Sequence, residues 1–230
     1  MERDPTAELR HEMAVVIALH AQFAREQLGK DTLDGRIVAA MAKVPRHEFV
    51  PLEVRPFAYL DQPLPIGCGK TISQPFIAAL MADLLELRPE DVVLEIGTGL
   101  GYQAAVLAEL VGKVFTVEVI EELAAVAKRN LARLGYKSVQ LRIADGTRGW
   151  PEHAPFDKIV VAAGSELMPP MLLQQLKPGG KMVLPTGTAE AQELMLVEKS
   201  AAGKISTRNV MPVRFAMLEL ADEGRMHRVS

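Results

Sequence analysis

Residues 92–101, VVLEIGTGLG, set the architecture that we expect for this chain. An apolar run breaks there into three alternating glycines, and a helix-like segment follows at once. A strand that turns tightly around a ligand and enters a helix needs glycine, because glycine adopts positive φ angles and lets the backbone approach the ligand closely. A second apolar run, residues 114–117, is followed by Glu118, whose carboxylate can accept hydrogen bonds from a ribose diol. The two runs predict a nucleoside-cofactor site at the carboxyl ends of parallel strands.

The spacing of the glycines distinguishes two classes of nucleoside cofactor. A dinucleotide fold calls for G-x-G-x-x-G, whereas Gly97, Gly99 and Gly101 form G-x-G-x-G, and Tyr102 stands where the third dinucleotide glycine would fall. With Glu95 two residues before the first glycine, the pattern resembles the first motif of class I S-adenosylmethionine (AdoMet) methyltransferases. An acid at that position suits the cationic end of the methionine tail, so AdoMet is the cofactor that we expect.

The composition argues against nucleic-acid, membrane and metal-binding functions. The 26 Lys and Arg residues against 29 Asp and Glu residues give a formal net charge of −3, so no bulk basic surface favours nucleic acid. The first residues lack the apolar core of a signal peptide, and no apolar run approaches the roughly 18–20 residues of a membrane span. The single cysteine, Cys68, excludes an internal disulfide, and the five histidines are scattered singly. We therefore expect a cytoplasmic protein without a metal.

The N-terminal third predicts helices and one irregular segment. Apolar residues recur at helical spacing over residues 6–29, where Gly29 suits a C-cap. Asp34 can cap a second helix that runs to Lys43, and Pro75 can begin a third that runs to about Leu87. Residues 45–70 between these helices are rich in proline and glycine and show no period, and such a long irregular stretch is often functional.

From Asp91 the pattern alternates between strands and helices. The predicted strands are residues 92–96, 114–118, 139–143 and 157–163, and the predicted helices are residues 102–111, 121–134 and 169–176. A turn at residues 177–180 then leads to strand-like runs at 181–185, 193–199 and 210–220, which favour antiparallel additions at the sheet edge. We expect one doubly wound, Rossmann-like α/β domain over residues 1–230. Residues 1–75 would be its helical and irregular N-terminal extension, and residues 76–230 its AdoMet-binding core with C-terminal strands.

Five further segments narrow the family. They are PRHEFVP (45–51), GKTISQP (69–75), ADGTRGWP (144–151), PFDKIVV (155–161) and QLKPGG (175–180). In this order and spacing the chain resembles the protein-L-isoaspartate (D-aspartate) O-methyltransferases from about residue 34 to about residue 220. The combination of Thr-Ile-Ser-Gln-Pro with Asp-Gly-x-x-Gly-Trp is specific to that family, whereas methyltransferases in general share only the glycine loop.

The resemblance implies a reaction and a set of site residues. AdoMet would donate its methyl group to the free α-carboxylate of L-isoaspartyl residues in damaged proteins and peptides, and the ester would then close to a succinimide. Because a carboxylate is ionised near neutral pH, the reaction needs no general base, which fits the lack of a catalytic His, Asp or Cys constellation. The implied catalytic residue is Ser73; the implied substrate contacts are Thr71, Ile72, Gln74 and Val213; the implied cofactor contacts are Glu95, Gly97, Thr98, Gly99, Gly101, Glu118, Val119, Asp145 and Gly146.

Structural roles compete with several of these assignments. By itself Ser73 could merely cap the helix that begins at Pro75, and Asp145 with the following glycine could form a plain turn. Trp150 could pack in the core or contact a ligand, and for His47 we favour packing or hydrogen bonding over catalysis.

Other functions remain open at this point. The chain could be an AdoMet methyltransferase with a small-molecule or nucleic-acid acceptor, a non-catalytic AdoMet-binding module or, less readily, a dinucleotide oxidoreductase. The interpretation that we adopt is a monomeric enzyme whose partners are isoaspartyl-containing proteins and peptides, with neither nucleic acid nor membrane as a partner.

Overall fold

A seven-stranded sheet forms the centre of the computed structural model, which describes residues 5–219. Two further strands, the first two in the chain, pair with each other in a small separate sheet. The strands are β1 (Leu64–Gly67), β2 (Lys70–Ile72), β3 (Val92–Ile96), β4 (Lys113–Glu118), β5 (Val139–Ile143), β6 (Phe156–Val161), β7 (Leu176–Gly187), β8 (Gln192–Lys199) and β9 (Ile205–Val213). The α-helices are α1 (Ala7–Phe23), α2 (Arg25–Leu28), α3 (Gly35–Lys43), α4 (Pro75–Leu84), α5 (Tyr102–Ala108), α6 (Glu121–Arg133) and α7 (Pro170–Gln175). Short 3₁₀ helices cover Arg46–Phe49, Leu52–Phe57, Gly146–Arg148 and Pro151–His153.

The strand order confirms the predicted doubly wound fold. The large sheet runs β5-β4-β3-β6-β7-β8-β9, and every pair from β5 to β7 is parallel. After β3 the chain adds strands on one side through β4 and then on the other through β6, so the order reverses between β3 and β6. Ligands in such sheets bind beyond the carboxyl ends of the strands at that reversal. The glycine loop leaves β3 at this position.

The C-terminal strands add antiparallel to the edge of the sheet, as predicted, but their limits differ. Because Leu176 pairs with Phe156 and Lys181 pairs with Lys158, residues 177–180 form an irregularity inside β7 rather than a turn before it. The strand predicted over 210–220 is wrong in extent, because β9 ends at Val213 and the chain then leaves the edge of β8. Residues 216–218 pair instead with Gly164 beyond the end of β6, and residue 220 lies outside the described residues.

The N-terminal helices follow the predicted positions with one break. The helix predicted over 6–29 is two helices, since α1 ends at Phe23 and α2 begins at Arg25; Gly29 then ends α2 with a left-handed φ of 70°. The Asp34 carboxylate accepts a hydrogen bond from the Arg36 amide and caps α3, as predicted. The helix that begins at Pro75 ends at residue 84, three residues before the predicted limit.

Packing on both faces of the sheet explains why its central strands, β3 and β6, are mostly apolar. Val93 of β3 joins a large core that also contains α1, α3, α4 and α5, whereas Leu94 and Ile96 join a smaller core on the opposite face. Successive side chains of a strand point to opposite faces, so a strand covered on both sides has no polar face. None of the helices between residues 5 and 219 is long and apolar enough to cross a membrane.

Candidate AdoMet and isoaspartyl site

The glycine loop closes tightly between β3 and α5. Gly97, Gly99 and Gly101 have φ angles of 89°, 56° and 97°, in the region that L side chains rarely adopt. The Gly97 amide donates to the Val117 carbonyl of β4 at 2.9 Å, which ties the loop to the neighbouring strand. A Cβ at Gly101 would lie 3.1 Å from Leu131 of α6, so this glycine serves the close approach of a helix. The loop therefore needs glycine both for its backbone and for its packing.

Glu118 holds the glycine loop against the end of β4. One carboxylate oxygen accepts from the Gly99 amide at 2.8 Å, and the other accepts from the amides of Val119 and Ile120 at 3.0 and 3.1 Å. Burial raises the pKa of Glu118, while these backbone hydrogen bonds act in the opposite direction and favour the carboxylate. The same side chain lines the cleft beside the loop, so it both organises the loop and faces the cleft.

A cleft opens where the predicted cofactor residues meet. The predicted residues in its lining are Gly97, Gly99, Glu118, Val119 and Gly146. A Cβ at Gly146 would lie only 2.4 Å from Ile96, so the cleft wall has room for glycine alone. An acid at the end of β4, a backbone cradle of glycines and apolar walls together fit AdoMet.

Four predicted cofactor residues support the cleft from outside its lining. Fully buried Glu95 accepts from the Thr116 hydroxyl at 2.5 Å, and that hydroxyl is 2.5 Å from the hydroxyl of Thr98. Gly101 packs against α6, and Asp145 accepts from the amide and hydroxyl of Thr147 at 2.9 and 2.7 Å. The structure thus places Glu95 beneath the loop, where burial raises its pKa from 4.5 to about 8. This environment favours the neutral, protonated form of Glu95. It does not favour the exposed carboxylate that we expected to meet the cationic end of the methionine tail.

The buried Glu95 predicts a pH dependence of stability. With a pKa of about 8 in the folded state and 4.5 as its ordinary value, Glu95 binds a proton in the folded protein across that interval and not in the unfolded chain. Stability from this group is therefore complete below pH 4.5 and is lost as the pH rises towards 8. We expect Glu95→Gln to remove this loss. In urea unfolding at pH 5.5, 7 and 9, the free energy of unfolding of the variant should rise relative to that of the wild type by roughly a few kcal/mol as the pH increases. Parallel curves for the two proteins would contradict this expectation.

A second, larger cavity adjoins the cofactor cleft. Thr71 and Phe215 line both spaces, so the two meet at these side chains. Ser73, Gln74 and Val213 also line the second cavity, which brings together four of the five residues predicted for catalysis and substrate binding. The fifth, Ile72, is buried in the main apolar core and lines neither space.

The surroundings of Ser73 do not support a role as a helix cap. Gln74 occupies the N-cap position of α4, and Asp61 supplies the capping interaction by accepting from the Phe76 amide at 2.7 Å. The Ser73 hydroxyl makes no hydrogen bond to any residue within 5–219, while the Ser73 carbonyl accepts from the guanidinium of Arg46 at 2.7 Å. The backbone of Ser73 is therefore held in place, and its hydroxyl stays available to a ligand in the second cavity.

His47 and Trp150 occupy structural positions. His47 Nδ1 is 2.5 Å from the Tyr59 hydroxyl, and its Nε2 is 3.1 Å from a carboxylate oxygen of Glu48, which agrees with the preferred hydrogen-bonding role. Trp150 packs edge-on against Phe115 in the smaller core, with ring centroids 5.3 Å apart, and lines neither cavity.

Two supporting residues were not recognised from the sequence. Arg46 is completely buried, and Asp61 is 6% exposed at its side chain; both contact the segment that carries Ser73. Arg46 lies in the PRHEFVP segment already noted. The sequence signal that could have identified it is a charged residue among prolines and apolar residues. Asp61 lies in the irregular segment, where no pattern distinguished it from a solvent-exposed acid.

The switch-point position of the glycine loop, the acid after the next strand and the parallel sheet define a class I AdoMet methyltransferase. The comparisons with known proteins narrow this class. The chain belongs to the protein-L-isoaspartate (D-aspartate) O-methyltransferase family, whose model matches residues 22–222.

Individual relatives agree over most of the chain. Protein-L-isoaspartate O-methyltransferase 1 of Polaromonas sp. (strain JS666 / ATCC BAA-500) is 59% identical over 216 residues, which cover 94% of this chain and 92% of that one. Protein-L-isoaspartate O-methyltransferase 2 of Syntrophobacter fumaroxidans is 52% identical over 216 residues, covering 94% and 87%. A solved protein-L-isoaspartate O-methyltransferase structure superposes with a TM-score of 0.77 at 30% identity, covering 91% of this chain and 66% of that one.

Proposed function

We propose that the two cavities form a single active site whose methyl acceptor reaches the cofactor between Thr71 and Phe215. The reaction is that of the family, AdoMet-dependent methylation of the free α-carboxylate of L-isoaspartyl residues in damaged proteins and peptides, which initiates repair through a succinimide. The observation that carries this assignment of the site is that Thr71 and Phe215 line both spaces, because it sets the glycine-loop cleft next to the space that Ser73 lines.

The chemistry places few demands on the protein. AdoMet supplies a methyl group on a positively charged sulfur, and the acceptor is a carboxylate that is already ionised near neutral pH. The residues of the site then have to align the carboxylate and exclude water, since charge on both partners is partly lost in the transition state. Apolar side chains of Ile66, Phe215 and Met217 line the cofactor cleft and supply a poorly hydrated wall. We assign to the Ser73 hydroxyl a hydrogen bond to the acceptor carboxylate.

A paired-peptide assay tests the proposed function. The protein is incubated with labelled AdoMet and two peptides that differ only in containing isoaspartate or aspartate. We expect base-labile methyl ester on the isoaspartyl peptide alone. Equal labelling of both peptides, or of neither, would overturn the acceptor assignment. Labelled RNA would indicate a nucleic-acid methyltransferase, and tight AdoMet binding in calorimetry with no turnover would indicate a non-catalytic module.

Ser73→Ala tests the assigned role of the hydroxyl. A hydrogen bond to a charged group contributes about 1.5–3 kcal/mol, so we expect kcat/KM on the isoaspartyl peptide to fall by roughly 10- to 100-fold. AdoMet affinity should stay within about twofold, because Ser73 does not line the cofactor cleft. Ser206→Ala, which removes an exposed hydroxyl from β9, is the matched control and should leave both quantities unchanged. An unaltered kcat/KM in Ser73→Ala would restrict this serine to a structural role.

We also propose that the chain acts as one domain, as a monomer and in the cytoplasm. Side chains of α1, α3 and α4 share the main apolar core with β3, which supports a single cooperative unit. The single cysteine fits a reducing compartment. Light scattering that gives twice the 25.1 kDa chain mass would overturn the monomer.

A further inference from the structure

The second cavity extends well beyond the residues that it shares with the cofactor cleft. Of its lining residues, only Thr71 and Phe215 also line that cleft. The opposite wall comes from the end of α1 and from α2, through His20, Phe23, Ala24 and Gln27. The space between this wall and Ser73 can accommodate the residues that flank the isoaspartate in a peptide chain.

Phe23 presents a largely exposed aromatic ring at the rim of this space. Its side chain is 83% exposed, the highest value among the exposed large apolar residues that the structure describes. Leu19 and Val15 lie one and two turns earlier on the same helical face and are 45% and 46% exposed. A contiguous exposed apolar stripe marks a binding surface more often than a scattered set of apolar residues does. This stripe leads directly into the second cavity.

The wall formed by α1 is attached to the segment that carries Ser73. His20 contacts Asp61, and Asp61 also accepts from the Gln74 side chain at 2.8 Å and from the Phe76 amide at 2.7 Å. The His20 ring meets the Phe76 ring edge-on, with centroids 5.5 Å apart. These contacts fix the position of the end of α1 relative to the acceptor site. A side chain next to the isoaspartate would therefore meet the same surface in each substrate.

We propose that the α1–α2 wall binds a side chain that flanks the isoaspartate, and that Phe23 makes the enzyme prefer an apolar side chain there. The inference rests on the proposed function, since it identifies part of the substrate site. Much of the remaining lining favours the same choice, because Ala24, Pro63, Ile77, Met211 and Val213 are apolar, while Gln27 and Arg214 are polar members of the same lining. An apolar flank would cover the exposed ring of Phe23 and remove both surfaces from water.

A panel of isoaspartyl peptides tests this preference. All flanking positions are glycine in the parent peptide, and leucine replaces glycine singly at each of the two positions on either side. We expect leucine at one or more positions to lower KM by about 5- to 20-fold for the wild type, with little change in kcat. Phe23→Ala should abolish this advantage, so that the ratio of kcat/KM between the leucine and all-glycine peptides falls to about one. Phe23→Leu, which keeps an apolar side chain, should retain most of it.

The controls separate this inference from the proposed function. Leu52→Ala removes a side chain that is 70% exposed and lines neither cavity, so it should behave as the wild type on every peptide. A wild type without preference among the peptides, or a Phe23→Ala variant that keeps the preference, would overturn the inference while the proposed function stands. If the wild type methylates no isoaspartyl peptide at all, the proposed function fails and this inference fails with it.

Discussion

Glu118→Ala is expected to weaken AdoMet binding by about 100-fold, or ~3 kcal/mol. The substitution removes a carboxylate that accepts from three backbone amides, those of Gly99, Val119 and Ile120. It leaves these donors without their partner and frees the glycine loop from the end of β4, in addition to removing the carboxylate that we propose as the partner of the ribose diol. Calorimetric titration with AdoMet measures the loss directly.

Two variants delimit the cause of that loss. Glu118→Gln keeps the shape but offers only one acceptor oxygen, so one side of the amide turns a donor towards a backbone N–H and an intermediate loss of affinity follows. Glu122→Ala removes the same charge from an exposed position in the first turn of α6 and should leave affinity unchanged. AdoMet binding to Glu118→Ala at the wild-type affinity would show that the carboxylate neither organises the loop nor reaches the ligand.

Arg46→Met is expected to lower the free energy of unfolding by about 3–5 kcal/mol and to reduce turnover. The fully buried guanidinium donates to the Ala58 carbonyl at 2.9 Å and to the Ser73 carbonyl at 2.7 Å, and it lies 4.8 Å from the centre of the Tyr102 ring. Burial lowers the pKa of Arg46, which reflects the cost of keeping this cation away from water. Methionine fills much of the volume but leaves both carbonyls unsatisfied.

The measurements for Arg46 separate stability from positioning. Urea unfolding gives the stability change, and kcat is compared at a temperature where every protein is folded. Arg46→Lys keeps the charge but cannot present the planar fork to two carbonyls, so we expect it to recover only part of the stability. If kcat in folded Arg46→Met equals that of the wild type, Arg46 supports the fold without positioning Ser73.

Much of the architecture could be predicted from local pattern. Four of the five parallel strands, β3 to β6, lie within two residues of the predicted limits, because a buried strand is a short, mostly apolar run between turns. The β1–β2 hairpin was missed, since β1 has four residues and β2 three, which is too short for a period to emerge. That hairpin delivers Thr71 and Ser73 to the second cavity, so the irregular segment carries much of the functional geometry.

The predicted site residues divide by how they act. Those at or just beyond the carboxyl end of a strand, such as Gly97, Glu118 and Gly146, line the cleft beside the glycine loop, and their contacts with AdoMet stay a prediction. Glu95 and Ile72 belong to the motifs that suggested them, but their side chains line neither cavity. Neighbouring side chains along a strand point to opposite faces, and these two point into the core. The motifs therefore predicted that these residues lie near the site but did not predict which way their side chains point.

The amino-acid sequence by itself determined the parallel sheet, the class of cofactor and the family, because glycine spacing, apolar runs and motif order are properties of neighbouring residues. Only the tertiary structure decided which distant groups meet. Glu118 hydrogen-bonds to Gly99, 19 positions away in the chain, and Arg46 hydrogen-bonds to Ser73, 27 positions away. His20 contacts Asp61 beside the second cavity. The periodicity of a segment reports which face is buried and not where another segment packs against it. The partners of buried charges thus become visible only once the helices, the hairpin and the sheet have closed around one another.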